Sequence, residues 1–223
     1  VSQETQPAFS GSSGSPERPE LPDQSKRLQR VVVVAAFEPE LAAFREALPE
    51  VRAVAVGIGL VDAALGTSAL LAKGGVELVV LLGTCGAFHE ADLGKVIVGS
   101  GTRLGEPAQA LGHAALPEPL TGRIALAESF GAGGDSLGEI ATTLGVTTSD
   151  QAARALRDAT QARVEHMETY AVARACTLHS VRCGVILGAA NVVGSQGRAQ
   201  WRANHVAASA AAAAFAVRAL TSV

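Results

Sequence analysis

The chain has 223 residues and a formal net charge of −3, with 48% hydrophobic but only 17% charged residues. That length suits one substantial domain, and the low charged fraction suits a sheet buried on both faces and an oligomer that hides further surface. The absence of a basic stripe disfavours nucleic acid as a partner. No uninterrupted apolar run reaches membrane-spanning length and no apolar leader opens the chain, so the expectation is a cytoplasmic protein without membrane contact.

Residues 1–30 are rich in Ser, Gly and Pro and read as a flexible arm, with the folded unit at 31–223. "RVVVVAAF" opens that unit as a continuous β-branched run, the pattern of a parallel strand covered on both faces. "EPELAAFREAL" follows as a helix with Pro39 in its permitted first turn. Strand "RAVAVG", a helix from Leu60 and strand "VELVVLLG" come next, with glycines at the joints. Beyond them, "KVIVGSGTRL" and "RIALAESF" read as strands, and "TTLGVTTS" as a further strand before helix "DQAARALRDA". A short strand "ARVEH" leads into a helix that begins near Met167. On it Met167, Tyr170, Ala171, Ala175 and Leu178 recur at the spacing of one buried stripe. Strand "RCGVILGAANVV" and an Ala-rich helix over 198–220 complete an alternating pattern. The fold class is therefore α/β, with a largely parallel sheet.

Cys85, Cys176 and Cys183 lack C-x-x-C spacing and read as reduced, buried thiols. The five histidines do not cluster with them, so neither a metal site nor a cofactor is expected. "GIG" at 57–59 and "GTCG" at 83–86 both follow strands, where ligands of open sheets bind and glycine lets the backbone approach them. The dinucleotide fingerprint fails, because Asp62 stands where its third glycine belongs. Glu38 and Glu40, just after the first strand, are each a candidate base or an ordinary helix-terminal charge. Asn191, after a mostly apolar strand, is either a ligand contact or a turn former. Glu168 could decorate a helix terminus. Trp201, the single tryptophan, reads as packing.

In this order the pieces resemble the nucleoside phosphorylase and nucleosidase superfamily, from about Val31 to Leu220. "VVVAAFEPEL" looks like its first strand and acidic turn, and "AVGIGLVDAALGTSALL" like its Gly-Ile-Gly segment. "LLGTCGAFHEADLGKVIVGS" is similar to its Gly-rich loop and next strand. "VEHMETYAVARAC" resembles its Met-Glu helix, and "GAANVV" its base-contacting strand end. The resemblance implies a single-domain three-layer α/β/α fold with a mixed, largely parallel central sheet. It implies that Glu168 accepts hydrogen bonds from ribose hydroxyls, with Met167 against the sugar and Gly59, Thr84, Cys85 and Gly86 in the substrate pocket. Glu165 receives no role. The family's phosphorylases place arginines at the position of Leu81 and in the first acidic turn. Losing both guanidinium groups removes a phosphate clamp, so the resemblance implies a hydrolase with Glu40 activating water and Asn191 at the departing base. Asn191 and Ala152 depart from the methylthioadenosine/S-adenosylhomocysteine nucleosidases, which have an aspartate and an aromatic there. The C-terminal "NVVGSQGRAQW" is similar to the futalosine hydrolases of menaquinone biosynthesis, pointing to a 6-oxopurine nucleoside. The low charged fraction and the apolar helices point to a homodimer or larger. The alternatives are a methylthioadenosine/S-adenosylhomocysteine nucleosidase, a phosphate-dependent phosphorylase and a nucleoside-binding protein without turnover.

Overall fold

The computed structural model describes residues 24–127 and 129–222. The elements, in chain order, are helix α1 (Gln24–Leu28), strand β1 (Val31–Ala35), α2 (Ala42–Ala47), β2 (Arg52–Ala55), α3 (Gly59–Leu71) and β3 (Leu78–Ala87). They continue with β4 (Val96–Leu104), the short α4 (Pro107–Ala110), β5 (Ile124–Ala125), β6 (Leu137–Thr142) and α5 (Asp150–Thr160). The chain closes with β7 (Val164–His166), α6 (Thr169–Leu178), β8 (Arg182–Val192) and α7 (Gly197–Thr221).

Strand periodicity builds the layers. Alternate residues of β1, β3 and β8 point to opposite faces. Val32, Val34, Val79, Leu81, Val185 and Leu187 pack under α3 and α6. Val31, Val33, Leu78, Val80, Leu82 and Ile186 pack under α2 and α7. This is why β1 and β3 are apolar at nearly every position: neither face meets water. The expected α/β/α layering and mixed, largely parallel sheet are both present.

The sheet runs β2-β1-β3-β7-β6-β4-β5, and β8 pairs with both β3 and β4, so five of its strands close into a ring. β8 lies parallel to β3 along its whole length, while β7 runs antiparallel to its end at Gly86 and Ala87. The carboxyl end of β3 is thus flanked by both strands. Helix α7 comes close to β8 because its Ala-rich face and Gly188 carry no bulk: a Cβ on Gly188 would stand 2.2 Å from the Ala208 carbonyl oxygen.

Four expectations are corrected. "GTCG" is not a loop beyond β3 but part of it, since β7 and β8 satisfy its backbone. The strand expected over 142–149 ends at Thr142 and begins earlier, at Leu137. Its threonines serve through hydroxyls rather than β-propensity: Thr143 and Thr147 donate to Glu165, leaving Leu144 and Val146 64% and 57% exposed. "RIALAESF" contributes only Ile124–Ala125, paired with β4; its Glu128 lies outside the described residues. The stripe on α6 also fails at its end, where Leu178 is 77% exposed at the last turn.

Of the expected N-terminal arm, residues 1–23 lie outside the described residues. Residues 24–28 form α1, whose Leu28 is buried and whose Gln24 and Arg27 side chains donate to the Thr221 and Leu220 carbonyls. These bonds satisfy acceptors that the end of α7 leaves open. Among the described residues no helix is long and apolar enough to cross a membrane.

Candidate active site

After β1 the chain turns through a 3-10 helix, Glu38–Leu41, with Pro39 at its start. This turn separates the two carboxylates flanking Pro39. Glu38 faces solvent and pairs with Arg45, which holds its carboxyl below the usual range. Glu40 is buried against β3. Its Oε1 accepts from the Thr84 N–H and from the Thr84 hydroxyl, each at 2.9 Å. Oε2 is buried with no atom in hydrogen-bond geometry. Gly83 makes this approach possible, since a Cβ there would stand 3.1 Å from Oε2.

Burial raises the Glu40 carboxyl to about 7; the Thr84 donors oppose that rise, the Glu168 charge adds to it, and the Ala36 N–H opposes it most weakly. A carboxyl in this range can take a proton near neutrality. No cation is among the groups acting on it.

Glu168 is buried as well. It occupies the N-cap position of α6, yet its side chain does not cap that helix. Instead Oε1 accepts from the Gly59 N–H at 2.7 Å, the first amide of α3. Gly59 has φ of +81°, a backbone conformation that favours glycine. Oε2 lies 3.3 Å from His166 Nε2. The other ring nitrogen, Nδ1, accepts from the Glu168 N–H at 3.3 Å and lies 2.8 Å from the Thr169 hydroxyl. An accepting Nδ1 puts the imidazole proton on Nε2, facing the carboxylate. Burial lowers the His166 pKa, partly offset by Glu168, so a neutral ring is favoured. Each Glu168 oxygen retains lone-pair capacity for a further donor. Met167, half-buried, directly precedes it.

Asn191 is buried on β8 in register with Gly86 of β3, and its Nδ2 donates to the Val192 carbonyl at 3.0 Å. Cβ atoms on Gly86 and Gly197 would stand 3.0 and 3.1 Å from that nitrogen, so both glycines make room for the amide. Thr84 binds Glu40 directly, a role sequence reasoning did not assign. The Cys85 side chain belongs to the core under α3 and α6, where burial pushes its thiol up, leaving only its backbone for a ligand. All three cysteines are free and buried.

Three further residues were missed. His166 orients Glu168. Glu165 is buried and accepts from Thr143 and from the Thr147 hydroxyl and N–H, tying down the loop after β6. Burial, outweighing these donors, raises its carboxyl. Trp201 donates from Nε1 to the Thr84 hydroxyl at 3.1 Å, so it is not packing alone. Its position as a lone aromatic among small and polar residues was the available signal. Among the described residues no group of three or more His, Cys, Asp or Glu is placed to hold a metal ion.

A family profile described as the phosphorylase superfamily matches residues 47–223, most of the chain. The chain belongs to that superfamily. The match begins beyond Glu40, whose role therefore rests on its geometry. No curated protein matches the sequence. Similar solved structures include Helicobacter pylori 5′-methylthioadenosine/S-adenosylhomocysteine nucleosidase, at 17% identity and TM-score 0.76, covering 88% of this chain and 99% of that one. The Colwellia psychrerythraea nucleosidase of that name, in complex with adenine, has 20% identity and TM-score 0.73 over 86% and 94% of the two chains. Native Helicobacter pylori futalosine hydrolase has 18% identity and TM-score 0.74 over 88% and 98%. At these identities the likeness establishes a shared fold.

The Glu40 environment predicts a pH-dependent stability. A carboxyl raised from 4.5 to about 7 binds its proton more tightly folded than unfolded. Its stabilising contribution is complete below the lower value and is lost as pH rises through the upper one. Glu40→Gln should therefore gain stability relative to the unsubstituted chain between about pH 5 and about pH 8, by about 1 kcal/mol or more. Urea denaturation at both pH values checks this; an equal difference at the two would contradict it.

Proposed function

We propose that this chain hydrolyses the N-ribosidic bond of a purine nucleoside, preferentially a 6-oxopurine of the futalosine type, and releases the free base. One observation carries the reading: Glu40 is buried with a raised pKa, its Oε2 has no hydrogen-bond partner among the described residues, and no cation of those residues is among the groups acting on it. A phosphate nucleophile needs cations beside it, whereas water needs a base. Leu81, at the position where the family's phosphorylases place an arginine, is wholly buried in the core.

Each residue then has a chemical task. Glu168 accepts from the vicinal ribose hydroxyls, held by Gly59 and His166, with Met167 against the sugar. The C1′–N bond breaks with its electron pair leaving on the base, as an oxocarbenium-like sugar forms. Water bonds to C1′ and passes its proton to Glu40 Oε2; the base anion takes up a proton from solvent, and Glu40 returns its own to solvent. Asn191 has two N–H donors, and Val192 holds one, fixing the amide plane. The other meets the base edge. A 6-oxopurine presents acceptors at O6 and N7, so a neutral donor suits it better than an ionised carboxylate. That bond strengthens as negative charge builds on the departing base.

The assay is release of free base from futalosine, methylthioadenosine and inosine. Glu40→Gln should lower kcat roughly a hundredfold while largely preserving KM. Asn191→Asp should shift preference toward the adenine nucleoside by roughly tenfold or more. Faster cleavage of methylthioadenosine than of either 6-oxopurine nucleoside by the unsubstituted chain would refute the substrate choice. An unchanged Glu40→Gln rate would remove Glu40 from the mechanism.

A homodimer belongs to the same proposal. Ile58, Val61 and Leu65 are exposed along one face at the start of α3, beside Gly59, and a second copy is the proposed cover. Sedimentation velocity at micromolar concentration should show a dimer; a monomer there would refute it.

A further inference from the structure

The face of α7 nearest the site is clasped to the end of β8. The Gln200 side chain accepts from the Val192 N–H at 2.8 Å, and Asn204 donates to the Ala190 carbonyl at 3.0 Å. Between them Trp201, the single tryptophan of the chain, stacks on His205 with centroids 4.3 Å apart and planes 17° from parallel. His205 Nδ1 lies 3.0 Å from the Trp201 carbonyl oxygen. The indole therefore has little freedom.

Its N–H can only donate. The Thr84 hydroxyl accepts it at 3.1 Å, and the single proton of that hydroxyl goes to Glu40 Oε1 at 2.9 Å. The chain of donors runs one way, from indole to hydroxyl to carboxylate. We infer that Trp201 is a positioning residue for Glu40, acting through Thr84 to keep Oε1 occupied and Oε2 directed at the reacting water. The inference rests on the hydrolytic role proposed for Glu40. It gives a chemical reason for an indole, where packing alone would accept any large aromatic.

The direction of the chain depends on the charge of Glu40. Protonated, the carboxyl becomes a donor itself and competes for the Thr84 lone pairs, so the indole N–H changes surroundings. The groups that act on Glu40 here are Thr84, the Ala36 N–H and Glu168. Cys85 also interacts with it but is held as a thiol by burial, and His205 lies behind the indole.

The single tryptophan makes the test direct. His205→Phe keeps a stacked ring while removing the imidazole that lies against the indole. In that background, tryptophan emission should titrate with a midpoint near the value of about 7 set for Glu40. The titration should vanish when either Glu40→Gln or Thr84→Val is added. Flat emission in His205→Phe, or a titration that survives Glu40→Gln, would overturn the inference.

In the otherwise unsubstituted chain, Trp201→Phe should lower kcat roughly tenfold, with KM within about twofold, and move the acid limb of kcat to higher pH. An effect on KM or thermal stability alone would mean a packing role and overturn it. Emission coupled to Glu40 without nucleoside cleavage would remove the hydrolase reading, and with it the positioning role, while leaving the hydrogen-bond chain from the indole to the carboxylate in place. Cleavage lost in Glu40→Gln with uncoupled emission would uphold the hydrolase reading and overturn the positioning role.

Discussion

The hydrogen bonds from Thr84 to Glu40 are the contacts around which the site is arranged. Removing an ionised carboxylate from water costs several kcal/mol, and each hydrogen bond to a charged group returns about 1.5–3 kcal/mol. Two donors on one oxygen therefore offset much of that cost but not all of it. The remainder appears as a carboxyl raised to about 7 rather than as a buried charge or a permanently neutral acid. In this balance β1 ends at Ala35, the 3-10 turn brings Glu40 back over the sheet, and Gly83 leaves the carboxylate room that a Cβ would narrow to 3.1 Å from Oε2.

Glu168 is the electrostatic and mechanical counterpart. Its contact with the Gly59 amide ties the start of α3 to the start of α6, two helices on the same side of the sheet. Its charge also helps raise Glu40. A ribose that donates two hydroxyl hydrogen bonds to Glu168 would spread that charge, linking sugar binding to the poise of the base. Asn191 on β8 stands in register with Gly86 of β3 and brings a neutral amide to that end of the sheet.

The fold was legible where one physical requirement dominated the residue choice. A strand covered on both faces must be apolar throughout, so "VVVVA" and "LVVLL" admit few other readings. Glu40, Glu168 and Asn191 stood out as polar residues at strand or helix ends among apolar neighbours and glycines. Residues whose roles are set by distant partners were not legible. Trp201 and Thr84 are 117 positions apart, and nothing local distinguishes their hydrogen bond from packing. The threonines after β6 have the composition of a strand, yet they serve as hydroxyl donors to a carboxylate on β7. Leu178 fits the helical period of α6, but the helix ends there, away from its neighbours.

Water, activated by Glu40, is the nucleophile proposed here, in a superfamily whose phosphorylases use phosphate. The most direct measurement follows cleavage of a 6-oxopurine nucleoside by ³¹P NMR in the presence of inorganic phosphate, with base release timed with and without it. Equal rates and no new sugar 1-phosphate resonance are expected. A rate that rises with phosphate, together with a ribose 1-phosphate signal matching the base released, would contradict it.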